Sequence, residues 1–98
     1  MDVIQVVQGI TFTWDRRKAA GNLRKHGVSF ETAREVFFDP FLRLVGEREK
    51  DGEIREAVIG MTKGWQLLVV AFVMRAETIR IISSRPASPS ERERYENS

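Results

Sequence analysis

Polar and apolar positions alternate from Thr11 to Trp14, with Phe12 and Trp14 on one parity, which predicts a short half-buried strand. Ahead of it, Val3 to Val7 forms an apolar leader ending at Gly9, which either extends that strand or is loosely held. Asp15 then offers an N-cap for a helix over Arg16 to Lys25. Its apolar face is Ala19, Ala20 and Leu23, and Lys18, Asn22 and Lys25 share the opposite stripe. Gly27 suits the position just past the helix end. Ser29 caps a second helix, whose buried face is Phe30, Ala33, Val36 and Phe37, and Asp39-Pro40 stops it.

The rest of the chain reads as strands. Phe41 to Val45 is a strand candidate, followed by a charged loop from Gly46 to Glu53 with Asp51-Gly52 as its turn. Ile54 to Met61 is the next strand, and Lys63-Gly64 makes a turn before Trp65 to Met74. That run is apolar on both parities, as a central strand covered on both faces would be. Thr78 to Arg85 is the last strand, and Ser88 or Ser90 caps a helix through Tyr95. The order is β-α-α-β-β-β-β-α. Short connections between consecutive strands predict an α+β fold: an antiparallel sheet of four to five strands, two N-terminal helices on one face and a C-terminal helix.

Length bounds this picture to one domain over residues 1–98, with 1–10 as a possible extra N-terminal segment. There is no cysteine, hence no disulfide, thiolate metal site or cysteine nucleophile, and there is a single histidine. The longest apolar run, Leu67 to Met74, is far short of the ~20 residues that span a membrane. The N-terminus lacks a secretory pattern, so a cytoplasmic location is expected.

Formal charge is only +2, but it is unevenly spread. Arg16, Arg17, Lys18, Arg24 and Lys25 face Asp15 alone in the first helical region. Lys63, Arg75, Arg80 and Arg85 face Glu77 alone in the last strands, and an acidic segment lies between. Basic residues gathered on one face suit a polyanion.

His26 is a stabilising cation at a helix end or a proton carrier. Arg80 and Arg85 differ in parity, so a regular strand would point them to opposite sides. Each suits a phosphate through its fork, or a salt bridge with Glu53, Glu56 or Glu91. Trp14 reads as core, and Trp65 and Tyr95 are candidates for base stacking. No phosphate-binding loop, dinucleotide fingerprint or hydrolase elbow is present, and no helix reads as a DNA-binding motif.

Phe12-Thr-Trp14-Asp15, Lys18-Ala-Ala-Gly-Asn22 with Lys25-His26-Gly27-Val28-Ser29-Phe30, Val36-Phe37-Phe38-Asp39-Pro40 and Ile79-Arg80-Ile81-Ile82-Ser83-Ser84-Arg85-Pro86 together resemble the BrnT family of toxins. Arg55 with Ala57-Val58-Ile59-Gly60 and Glu91-Arg92-Glu93-Arg94-Tyr95 agree, and the resemblance covers residues 11 to 96. It implies a RelE-like fold and the toxin of a type II toxin–antitoxin system. The partner it implies is a BrnA-type ribbon-helix-helix antitoxin, through which the complex binds operator DNA.

The implied activity is a ribonuclease that needs no metal or cofactor, in which the ribose 2′-OH attacks the adjacent phosphate. Lys18, Lys25 or His26 would then act as base or acid, with Lys25 also placed to hold RNA, and Arg55, Arg80 and Arg85 as the charge clamp. One departure is Glu56, where the family commonly has an aromatic residue. It keeps open a second expectation: a module that mainly holds an antitoxin, with weak or lost nuclease activity.

Overall fold

The computed structural model describes residues 1–97. The apolar leader is a strand. β1 (Asp2–Val7) pairs antiparallel with β2 (Ile10–Asp15), in register from Asp2↔Asp15 to Val7↔Ile10. Gln8 and Gly9 between them both have positive φ, 50° and 81°, the handedness that lets a two-residue turn follow the strand twist. The sheet therefore has six strands rather than four to five. Two apolar alternations separated by two residues, one of them glycine, were the signal for this hairpin.

α1 (Arg16–His26) begins where Asp15 accepts a hydrogen bond from the Arg17 N–H at 2.8 Å. It ends where the Gly27 N–H donates to the Leu23 carbonyl, with Gly27 in the left-handed region. Its inward face is not the expected one. Asn22 is buried, whereas Leu23 is 51% exposed. The reason is a bonding need on the sheet, described below.

The second helix is also shorter than its apolar pattern suggests. α2 (Phe30–Ala33), capped by Ser29, gives way to a 3-10 helix at Arg34–Phe38. There Val36 is fully buried, and the consecutive Phe37 and Phe38 both pack against the core. Tertiary contacts decide the local geometry here.

β3 (Arg43–Lys50) and β4 (Glu53–Met61) form a hairpin, followed by β5 (Leu67–Arg75), β6 (Thr78–Pro86) and α3 (Pro89–Glu96). The charged segment expected to be a loop is the body of β3, with only Asp51-Gly52 left as turn. As an edge strand it is solvated along its length, and charge there guards an open edge against further pairing. Trp65 lies in the turn before β5, not in the strand.

Sheet order is β1-β2-β6-β5-β4-β3. The pairing is antiparallel except between β2 and β6, which run parallel over Thr11↔Thr78 to Thr13↔Arg80. A purely antiparallel sheet is thus corrected to a mostly antiparallel one. β6 returns beside β2 only after the whole middle of the chain, and that long connection permits the parallel pair.

The main core lies between the sheet and α1, α2 and the 3-10 helix. Phe12, Trp14, Phe30, Val36, Val70 and Ile81 are essentially fully buried in it. Trp14 and Phe30 meet edge to face, with ring centroids 6.0 Å apart. Gly60 allows the 3-10 helix to press on β4, because a Cβ there would lie 2.8 Å from Val36 Cβ. The other sheet face carries a smaller cluster, Ile59, Leu67 and Val69, covered by Ala87 and by Tyr95 of α3. The remainder of that second face is open.

Candidate functional site

Register partners in a sheet share a face, so the pairings of the middle rungs define one row of side chains. Arg48 of β3 faces Arg55 of β4, Arg55 faces Val73 of β5, and Val73 faces Arg80 of β6. The row continues through Thr13 of β2 to Ile4 of β1. Arg55 also shares its β4 parity with Ile59 of the smaller cluster, so the row lies on the face away from α1 and α2. Arg55 and Arg80 flank Val73, two strand spacings apart, or roughly 10 Å.

These arginines are differently engaged. The Nε of Arg55 is buried and has no hydrogen-bond partner among the described residues. Arg48 is exposed and forms no ion pair among them. Both line a cleft of about 410 Å³ whose floor includes the small residues Gly46, Ala57, Ala71 and Ser83. Glu47 and Glu56, which face each other across β3 and β4, border this cleft, but Glu56 pairs with Phe72 of the main core, so both side chains turn to the helix side of the sheet. Arg80 is 18% exposed at its side chain and donates from both terminal nitrogens to Asp2, at 3.1 Å each. That contact holds the Asp2 carboxyl below the usual carboxylate range.

Arg80 and Arg85 do not point to opposite sides. Phe72 pairs with Ile81 and Ala71 with Ser83, so Ile82 is an extra residue in β6. This bulge resets the parity. Arg80 faces Val73 and Arg85 faces Val69, two residues of β5 that share a face.

Asn22 braces the bulge from α1. Its Nδ2 donates to the Ser84 carbonyl at 2.8 Å and to the Val28 carbonyl at 2.9 Å, and its Oδ1 accepts from the Ser84 N–H at 3.0 Å. β2 pairs with β6 only up to Arg80, so the Asn22 amide stands in for a missing strand at Ser84. A buried polar side chain at this spacing cannot be told from a solvent-facing one by pattern alone, and sequence reasoning missed it.

Arg85 lies roughly 13 Å along the sheet from the row, four residues away on the β5 scale. There it grips Glu91 of α3 through two bonds of 2.7 and 2.8 Å. Glu91 also completes a capping box with Ser88. The Arg85 hydrogen bonds hold the Glu91 carboxyl down at about 2, and Glu91 in turn raises Arg85 further.

Tyr95 Oη donates to Asp39 at 2.6 Å, and Asp39 also accepts from the N–H groups of Phe41 and Met61. Burial pushes the Asp39 carboxyl up, but these donors outweigh it and leave it lowered. Burial first, then Asp39, pushes the Tyr95 phenol up to about 12.

Trp65 is 82% exposed in a turn where it, rather than Gly64, takes the left-handed conformation at φ 63°. Trp65 and Tyr95 share a cavity of about 420 Å³ with Phe38, Pro40 and Phe41, lined by none of the row arginines. Lys18 and Lys25 are exposed on α1 and His26 is half-buried at its end, on the other layer of the molecule. The structure thus brings together Arg55 and Arg80 from the expected residues, adds Arg48 to them, and separates Lys18, Lys25, His26, Arg85, Trp65 and Tyr95 from that row.

The family described as "Ribonuclease toxin, BrnT, of type II toxin-antitoxin system" matches residues 14–91. Among curated proteins none matches the chain. Among solved structures, the crystal structure of the Brucella abortus ribonuclease toxin BrnT is similar, with a TM-score of 0.59 and 27% sequence identity. The similarity covers 76% of this chain and 92% of that one.

Proposed function

The chain belongs to the BrnT family of ribonuclease toxins of type II toxin–antitoxin systems, and from that premise we propose that it cleaves RNA on the open face of its sheet, at the row Arg48, Arg55 and Arg80. The observation that carries this reading is Arg55. A guanidinium with a buried, unpartnered Nε, opening on a cleft beside a second arginine, is poised to accept an anion. RNA phosphate is the anion that a ribonuclease supplies.

In the reaction we propose, the ribose 2′-oxygen bonds to the adjacent phosphorus as its proton passes to a base. The bond from phosphorus to the 5′-oxygen breaks, and that oxygen takes up a proton. A cyclic phosphate and a free 5′-OH result. The arginine row stabilises the extra negative charge on the phosphorus oxygens, so the step needs no metal. Glu47 and Glu56 share the register of Phe72, so their carboxylates turn to the helix side of the sheet, and the row itself carries charge stabilisation rather than a carboxylate base. RNA reaching Lys18, Lys25 or His26 must pass around the sheet to α1.

A type II family member has an antitoxin as partner. We assign that role to a BrnA-type ribbon-helix-helix protein that carries the complex to operator DNA. A mostly antiparallel sheet with α1 and α2 on one face and α3 on the other accords with a RelE-like fold. No helix among the described residues is long and apolar enough to cross a membrane, and we place the protein in the cytoplasm with its RNA substrate.

The test is cleavage of a defined RNA by the purified chain in EDTA. Wild type yields cyclic-phosphate ends, and Arg55→Ala is slower on the order of 100-fold, the loss typical of removing one preorganised charge donor, with an unchanged melting temperature. A folded wild type that leaves RNA intact would favour the second reading, a module whose main work is to hold the antitoxin. The engagement of Arg80 by Asp2 is the observation on that side.

A further inference from the structure

Arg80 is the member of the row that already holds an anion. Asp2 meets it with both carboxylate oxygens, each 3.1 Å from a terminal nitrogen, while Thr13 Oγ1 lies 3.4 Å from one of them. A guanidinium presents its paired N–H groups to a carboxylate and to a phosphate in the same way. The two ligands cannot use those groups together, so a phosphate at Arg80 has to displace Asp2.

The placement of Asp2 is built into the fold. β1 is paired with β2 along its whole length, and the Arg16 N–H donates to the Met1 carbonyl at 3.1 Å, which anchors the start of the chain. Gln5 further ties β1 to the helical layer by accepting from Arg34. Asp2 itself is 54% exposed at its side chain, so it can swing away without opening the core. β1 also lies outside the residues that match the family, 14–91. The competitor therefore lies outside the stretch that the family match covers.

We propose that Asp2 sets the affinity of the RNA site by competing with substrate phosphate for Arg80; this rests on the reading of the open face as the RNA site. The effect is modest, because a half-exposed ion pair is weak. It tunes affinity and does not switch the site off. Asp2 touches Arg80 and not the reacting atoms, so its loss leaves the chemistry in place.

The test is a double-mutant cycle read by binding. The probe is a single-stranded oligonucleotide of RNA sequence with 2′-deoxy sugars, which lacks the attacking oxygen and stays intact. Asp2→Asn should bind it about three- to fivefold more tightly than wild type, the scale of an exposed pair. The gain should vanish in the Arg80→Ala background. Asp2→Ala repeats the comparison without an amide at that position, and thermal melts confirm that both variants fold.

Equal or weaker binding by Asp2→Asn would overturn the proposal. So would a gain that persists without Arg80, since it would then be a general field effect. If Arg55→Ala and Arg80→Ala both bind as wild type does, the open-face reading fails first and takes this inference with it. Loss of RNA cleavage in Asp2→Asn with binding intact would also overturn it, by making Asp2 a participant in proton transfer.

Discussion

At one end of the sheet face away from α1, Arg85 holds Glu91 through two short bonds, and α3 lies over Ile59, Leu67 and Val69. At the other end, Arg55 and Arg48 look out on a cleft and hold no carboxylate among the described residues. The two regions share the same strands and the same kind of side chain. They differ in what the chain provides opposite. Beyond β6 the chain turns back as a capped helix and delivers Glu91, so Arg85 is used to fix that helix. Across β4 it delivers only another arginine from β3, so two like charges are held side by side. Such a pair is unfavourable until an anion arrives. Arg80 lies between these cases, engaged by Asp2 but on an exposed partner.

The residue on which both ends depend is Asn22. Its amide satisfies the Ser84 N–H and carbonyl next to the bulge that puts Arg80 and Arg85 on one face. Asn22→Ala leaves those groups buried and unpaired, at a cost of about 3 kcal/mol. Thermal and denaturant melts should show this as the largest stability loss among the changes considered. RNA cleavage by the folded fraction should fall as well. A variant that melts as wild type does would mean that the bulge is held by β5 alone.

Next in size is Tyr95→Phe, which removes the 2.6 Å bond to Asp39 and costs about 1.5 kcal/mol, as for a bond to a charged group. The pH dependence has a definite sign. The folded phenol titrates at about 12, above its ordinary 10, so its contribution is complete below pH 10 and is lost as pH rises through 12. The gap in melting temperature between wild type and Tyr95→Phe should therefore be full at about pH 8 and much reduced at about pH 11.5. RNA cleavage at neutral pH should change little, because Tyr95 belongs to the covered end. A large loss of cleavage without loss of stability would move the site toward the cavity of Trp65.

Much of the fold could be read from the chain because its punctuation is local. Asp15, Gly27, Ser29 and Ser88 act where their side chains or backbone predict. What escaped depended on distant partners. The second helix tightens because Val36 must meet β4 at Gly60. The charged stretch becomes a strand because β4 is there to pair with it. The candidate site was half legible for the same reason. Arg55 and Arg80 were singled out, yet the bulge at Ile82 and the anion at Asp2 are set by register across the sheet. Arg48 looked like ordinary surface until β3 placed it opposite Arg55.

The smallest expected effect separates the two ends most directly. Arg85→Ala should cost about 1 kcal/mol at neutral pH, since the pair is only partly shielded from water. The arginine hydrogen bonds are the main reason that Glu91 titrates at about 2 instead of 4.5. A carboxyl depressed in this way contributes stability above its unfolded value, and the contribution is lost as pH falls from 4.5 toward 2. The difference in melting temperature between wild type and Arg85→Ala should therefore be full at pH 7 and shrink steadily toward pH 2. RNA cleavage at pH 7 should remain within about threefold of wild type, against the 100-fold scale expected at Arg55. The reverse pattern, a stable Arg85→Ala with cleavage reduced to the Arg55→Ala level, would break the division. It would require Glu91 to release Arg85 when RNA binds, and the charge clamp would then extend under α3.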